Sequence, residues 1–465
     1  MRIQRRNFMK SLVAWGGFGT TSLSFLGRQK AFASAGAGNK RLLFIFQRGG
    51  NDGLNTIVPH GDNLYLPSRA NIGISLADMT AAGTNLGNNF AGLHPQMAPM
   101  MSAFTPGELA VIHRVGYAQQ SRSHFDSQDY WEKGDPRGNQ GVTDGMLYRQ
   151  LAHMLDLSDP SVSFPAAGLS GSQMVTLTGD VPIPNFNDSK DFNFLGNADD
   201  RAKFLGQLPT AQGSGDGKGV LGMYADTPLA TALYADLVKG TGQALGGTIS
   251  TLTAANITPY LPNSEALYPG GSFGSKLKEA AMLFKRTDAC VLGINIGGWD
   301  THNNQGGAIG GHGNNLNSFA SAFEALKDDL GAESNGNGGT IWDDTIVVSM
   351  TEFGRTSKEN GSGGTDHAEA SAMFVAGGSV NGGVYNCDDT TWETGANEAD
   401  SAMFKVNNRY LSRRTDFRAV FGEIFMKHLG DTRADLDIVI PGYTEAEQLA
   451  TTNGLPDMTQ LGILS

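Results

Sequence analysis

Two cysteines in 465 residues leave no room for a disulfide framework, and Cys290 and Cys387 stand in no metal-binding or redox spacing. Cys290 falls in the apolar run ACVLGINI and Cys387 in the polar stretch YNCDDT. Two buried or half-buried free thiols are expected, with a single bridge between them as the alternative. Positive charge is also scarce: 34 Lys and Arg face 46 Asp and Glu, a formal net charge of −12. Such a surface repels nucleic acid and anionic membranes at long range, so no nucleic-acid partner is expected. Past the first thirty-odd residues, no apolar run approaches the roughly 20 residues of a membrane-spanning helix. No repeat of fixed period is present, which argues against a solenoid.

Glycine, by contrast, is abundant at 63 residues. Much of it falls in GSGDGKG, GGAIGGHGNN and ESNGNGG, which read as surface loops between regular elements. A hydrophobic content of 40% with 17% charged residues is a globular composition. The length permits one large α/β domain or two to three ordinary ones.

Residues 1–33 read as an export signal. Arg5 and Arg6 precede Asn7, Phe8 and Lys10, a mildly apolar stretch follows, and AFA at 31–33 offers a small-x-small cleavage site. The arginine pair resembles the twin-arginine signal, so a periplasmic or extracellular location and passage through the twin-arginine machinery are expected; a membrane anchor is the alternative. Arg2, Arg5, Arg6, Lys10, Arg28 and Lys30 all lie in this stretch, with no acid, so its removal makes the chain more acidic still.

Four runs have the nearly continuous apolar character of strands covered on both faces: 41–47 (RLLFIFQ), 108–116 (ELAVIHRVG), 288–296 (DACVLGINI) and 344–353 (DTIVVSMTEF). Helical patterns separate them: HFDSQDYWEKG, GMLYRQLAHMLD, SKLKEAAMLFKR and NLNSFASAFEALKDDL. The alternation predicts an α/β fold with a central, mostly parallel sheet and helices on both faces. Residues 180–275, rich in Gly, Pro, Asn and Thr, read as a loop- and helix-rich insertion over one sheet edge, or as a small lid. The whole of 34–465 is taken as one domain carrying that insertion.

In such sheets ligands bind beyond the carboxyl ends of the strands. Each of the four strands is followed by clustered polar residues: RGGNDGLN, then YAQQSRSHFDSQDY, then GGWDTHNNQ, then TEFGRTSKENGSGGTDH. In one parallel sheet these clusters converge on one rim. Asp300 with His302, and Asp366 with His367, are residue types that hold a divalent cation. Helix capping or ordinary loop hydrogen bonds are the plainer reading of either pair alone. Ser123 sits where a loop enters a helix, so free N–H groups and the helix dipole favour an attacking oxyanion or a bound anionic ester there. Simple capping is the plainer role. Arg48, Arg122 and Arg355 lie close in sequence to Asp52, Ser123 and Glu352, and any of them could clamp an oxyanion bidentately. A structural ion pair is the alternative for each.

At these residues the chain resembles a known family. FIFQRGGNDGLNTIVP, LHPQM, RSHFDSQDYWEKG, GGWDTHNNQ, TEFGRT with NGSGGTDHAEA, and TDFRAVFGEI together resemble the uncharacterised domain-of-unknown-function 1501 family of exported bacterial proteins. That family is placed in the alkaline phosphatase and sulfatase superfamily. The resemblance implies an alkaline phosphatase-like sheet. It also implies Asp52, Asp300, His302, Asp366 and His367 as metal ligands, Glu352 as a ligand of a second or auxiliary metal, and Ser123 as nucleophile. His124 is a candidate general base or ligand. The implied cofactor is a divalent metal, zinc first, with manganese, magnesium or calcium as alternatives.

The chain also departs from the superfamily. Only one residue separates Asp300 from His302, the late His428 falls in a helical pattern, and QSRSH has no Cys to become formylglycine. These features argue against a dinuclear phosphatase site and ordinary sulfatase chemistry. The expected function is an exported, metal-dependent hydrolase of a phosphate or sulfate ester, small-molecule or glycan. The alternatives are a non-catalytic hydrolase-like scaffold at the cell surface and a purely structural metal site.

Overall fold

The computed structural model describes residues 40–136, 138, 141–157, 165–186, 262–287 and 289–465. Residues 1–33, expected to be an export signal, and residues 187–261 of the expected insertion lie outside them. Nine strands form one sheet: β1 (Arg41–Gln47), β2 (Leu109–Gly116), β3 (Ala166–Leu169), β4 (Asn185–Phe186), β5 (Val291–Ile296), β6 (Thr345–Thr351), β7 (Ser371–Ala376), β8 (Gly383–Tyr385) and β9 (Thr415–Asp416). The order is β8-β2-β7-β6-β1-β5-β3-β4, with β9 beside β2.

All pairings are parallel except those of β7, which runs against both of its neighbours, β2 and β6. Two reversals cancel, so β2 points the same way as β6, β1 and β5. The carboxyl ends of all four strands read from the sequence therefore meet at one rim. β7 went unrecognised in the sequence, and it matters because its amino end starts at that same rim.

The covering helices are α1 (His124–Lys133), α2 (Met146–Met154), α3 (Ser272–Arg286), α4 (Gly311–Gly331) and α5 (Phe417–Lys427). Side chains of a strand alternate between faces, and β1 shows how both are filled. Leu43 and Ile45 share a core with Leu277 and Phe284 of α3 and Phe319 and Phe323 of α4. Leu42, Phe44 and Phe46 share the opposite core with Trp131 of α1, Leu151 of α2 and Phe421 of α5. Both faces of the central strand are dry, as its unbroken apolar run requires. The ends of the expected insertion belong to this framework: Asn185–Phe186 is an edge strand and Ser272 opens α3. Cys290 and Cys387 are buried free thiols. Among the described residues no helix is long and apolar enough to cross a membrane.

Candidate metal centre

The two Asp–His stretches meet. The segment after β5 and the segment before β7 are laced together by backbone bonds from Asn304 to Ser362 (3.0 Å), Gln305 to Gly363 (2.9 Å) and Thr365 to Thr301 (3.1 Å). Asn360 reaches across to the His302 carbonyl at 2.9 Å. Gly364 lies flat against the backbone of His302, where a Cβ would collide with it. At the end of β1, Gly49 and Gly50 take φ of 124° and 77°, a region that glycine enters freely. That turn aims their carbonyls at the Arg355 guanidinium.

Three histidines are oriented by the same device. His124 Nδ1 is 2.7 Å from Glu352 Oε1, His302 Nδ1 is 3.3 Å from Asp366 Oδ1, and His367 Nδ1 is 2.9 Å from the Arg122 carbonyl. A carbonyl and ionised carboxylates only accept, so each Nδ1 is the donor and each ring turns its Nε2 outward; Arg355 Nη1 also lies 3.5 Å from His302 Nε2. Those nitrogens face Asp300. His302 Nε2 lies 3.1 Å and His367 Nε2 3.2 Å from Asp300 Oδ1, and the two nitrogens are 3.0 Å apart. His124 Nε2 approaches the other carboxylate oxygen at 3.6 Å. His124, Asp300 and His367 each present a ligand atom within 4.8 Å of the others. For comparison, a tetrahedral ion with bonds of about 2.0–2.1 Å has ligand–ligand edges of roughly 3.3 Å.

The electrostatics sharpen the point. Burial acts against ionisation of Glu352, but hydrogen bonds from His124, Gln128 and Gly49 hold its carboxyl below the usual range. A hydrogen bond from Asn360, opposed by burial and aided by His302 and Arg409, does the same for Asp366. Burial would raise Asp300, and the Arg355 hydrogen bond and charge outweigh it. The hydrogen bond to Glu352, opposed by burial, raises His124, whereas burial lowers His367 despite Asp300. Electron-rich atoms are thus packed together, and bare lone pairs at 3.0 Å repel unless a proton or cation lies between them. Among the described residues His124 Nε2 is buried without a hydrogen-bond partner, a costly state for a polar atom.

Not every residue expected at the rim joins this cluster. Asp52 is buried and turned away, held by Arg69 Nη1 and Gln305 Nε2 at 2.5 Å each. Glu352 and Asp366 stand behind His124 and His302 rather than beside Asp300. Arg355 is fully buried, bonded to Asp300 Oδ1 at 2.5 Å and to the carbonyls of Gly49, Gly50, Trp299 and Thr365. It braces Asp300 from inside and faces no solvent, so it is not placed to clamp a substrate. Arg48 is neutralised by Glu132 at 2.8 Å. Arg122 is exposed, paired with Glu369 at 3.1 Å and stacked over Tyr410. Ser123 caps α1, accepting from the Asp126 N–H at 3.5 Å. Among the described residues its hydroxyl makes no other bond.

Sequence reasoning missed Asn360, Gln128, Arg69 and Arg409. Arg409 Nη2 holds Asp366 Oδ2 at 3.0 Å and lies over the Tyr410 ring that also carries Arg122. Nothing in the spacing of NNRYLSRR marks it.

Residues 258–431 match the model of the family described as protein of unknown function (DUF1501), which supports that family and brings no assigned activity. The matched segment contains Asp300, His302, Glu352, Arg355, Asp366 and His367. No curated protein matches the chain.

Proposed function

We propose that this protein is an exported, metal-dependent hydrolase of phosphate or sulfate esters. The observation that carries the reading is the convergence of three Nδ1-anchored imidazoles on one carboxylate at a strand-end rim. His124, Asp300, His302 and His367 would hold the cation. An imidazole-rich set favours zinc over calcium or magnesium, which prefer oxygen alone. A divalent cation bound there supplies Lewis-acid polarisation of an ester oxygen and neutralises charge developing in transfer.

The chain's own residues do the rest. Arg122 and Arg409, side by side on Tyr410, are solvent-facing cations beside the cluster; each is paired with a carboxylate, Glu369 and Asp366, that a substrate oxyanion would have to displace. Ser123, one residue from His124 and with its hydroxyl nearly free, is the proposed attacking group. A bond forms from its oxygen to phosphorus or sulfur while the bond to the ester oxygen breaks. The Ser123 hydroxyl proton passes to solvent, and the departing alkoxide takes a proton from solvent and leaves as the alcohol. A water then attacks the Ser123 ester, releasing phosphate or sulfate and restoring the serine hydroxyl. The N–H groups opening α1 face the same charge. The N-terminal arginine pair supports export.

The test is turnover of aryl phosphates, phosphodiesters and aryl sulfates by zinc-loaded protein. Hydrolysis that stops on chelation and returns with zinc is expected, and Arg122→Ala should lower kcat/KM by about tenfold, the size of one charge-assisted hydrogen bond. A zinc-loaded protein inert to the whole panel would count against the reading.

Glu352→Gln isolates the orienting carboxylate. The amide can present its nitrogen to His124 Nδ1, so the tautomer is no longer enforced. Zinc affinity measured by competition with a chelating dye is expected to fall about 10- to 100-fold. An unchanged affinity would mean that His124 is not held for a cation.

A further inference from the structure

Beside the cluster opens a cleft of about 550 Å³, lined among others by Arg48, Phe125, Gln128, Glu132, Gln173 and Asn295. Its character differs from that of the rim. Arg48 is the one cation among the lining residues, and Glu132 already neutralises it; Asp129, also lining, pairs with Lys133 at 3.0 Å. An anionic group gains nothing by entering. Phe125, next to His124 in the first turn of α1, is 90% exposed and presents its ring to the cleft mouth. Ser172 and Gln173 also line the cleft, and among the described residues their side chains make no hydrogen bond to protein, so their polar groups face solvent.

The wall between cleft and cluster is stiff. Arg48 Nη1 donates to Gln128 Oε1 at 3.0 Å, Gln128 Nε2 to Glu352 Oε1 at 2.8 Å, and the same Oε1 faces His124 Nδ1 at 2.7 Å. One amide side chain thus belongs to both compartments.

We propose that this cleft is a sugar subsite: it takes a neutral, hydroxyl-bearing ring against Phe125, with Ser172 and Gln173 bonding the ring hydroxyls, while the ester group carried by that ring faces the histidine cluster. An aromatic face is electron-rich and attracts the weakly positive C–H groups on one side of a pyranose. Amides and hydroxyls supply direction, as they do in polar ligand sites generally. The position of the ester group rests on the hydrolase reading; the ring site rests on the cleft alone.

Calorimetric titration of the zinc-loaded full chain with glucose 6-phosphate and glucose 6-sulfate, against butyl phosphate and butyl sulfate, tests it. The sugar esters are expected to bind about tenfold more tightly, and Phe125→Ala, at an exposed position that folding does not need, should remove most of that preference. Gln173→Ala should remove part of it. Equal affinities for sugar and butyl esters, or a preference that survives Phe125→Ala, would overturn the proposal. Turnover measured in parallel separates the two readings. Phe125-dependent binding of sugar esters without hydrolysis keeps the subsite and rejects the hydrolase. Hydrolysis of butyl phosphate without any sugar preference does the reverse.

Discussion

His367→Ala is expected to lower zinc affinity by at least a hundredfold and to abolish any metal-dependent turnover with it. Loss of a mere orienting partner already costs about 10- to 100-fold at metal sites, and His367 Nε2 sits inside the cluster, 3.0 Å from His302 Nε2 and 3.2 Å from Asp300 Oδ1. The variant should still fold. Its side chain is 25% exposed, and its packing is limited to ring contacts with Phe353, His124 and His302. Asp300→Asn provides a second, nearly isosteric route: the amide oxygen can still accept from Arg355, while the charge that attracts a cation is gone. Both variants should bind zinc weakly; His367→Ala should unfold close to the wild-type temperature, and Asp300→Asn below it, because the buried Arg355 guanidinium loses its counter-charge. If both keep wild-type zinc affinity, the histidines serve some other purpose.

Arg69→Met is expected to destabilise the protein by about 3–5 kcal/mol at neutral pH, the usual cost of removing one partner from a buried ion pair. Arg69 and Asp52 are both fully buried. The guanidinium also donates to Asn55 Oδ1 and to the carbonyls of Thr356 and Ser357, so it ties the β1 loop to the segment after β6. Burial alone would raise the Asp52 carboxyl, but Arg69's charge and hydrogen bond, with help from His312 and Gln305, hold it below its ordinary value.

The pH dependence follows from that direction. A depressed folded pKa contributes stability that is complete above the unfolded value, near 3.9, and is lost as pH falls through the lower folded value. In Arg69→Met burial acts unopposed and the folded pKa rises, so the variant's penalty is relieved as acid protonates Asp52. The gap between wild type and variant should therefore be widest near pH 7 and narrow toward pH 4, measured by urea unfolding. Adding Asp52→Asn should recover much of the loss at pH 7. A gap independent of pH would mean that the lost hydrogen bonds, and not the stranded carboxylate, set the cost.

The strands β1, β2, β5 and β6 are legible because each is apolar on both faces, and the polar clusters that end them are legible because a strand needs no such residues within it. Asp300, His302 and His367 followed from that placement. β7 was harder: SAMFVA is short, and its alanines lack the β-branched signature. With β7 unseen, the arrival of Asp366 and His367 from a reversed strand could not be read.

The division of labour was hidden for a different reason. A carboxylate proposed to bind a cation and one that steadies a histidine are the same residue type in the same kind of loop. Only the distances separate Asp300 from Glu352 and Asp366. The pairing of Asp52 was not legible because Arg69, its partner, lies 17 residues away in a segment with no pattern of its own. The α1 cap was legible in Ser123, since capping is a local matter.

Anomalous diffraction at the zinc edge, from crystals grown with equimolar zinc, bears most directly on the proposed metal centre. A single strong peak is expected about 2.0–2.2 Å from His302 Nε2, His367 Nε2 and an Asp300 oxygen, with His124 drawn toward it and nothing at Asp52. No peak at that position, with the Arg355 guanidinium still the sole positive group against Asp300, would contradict it.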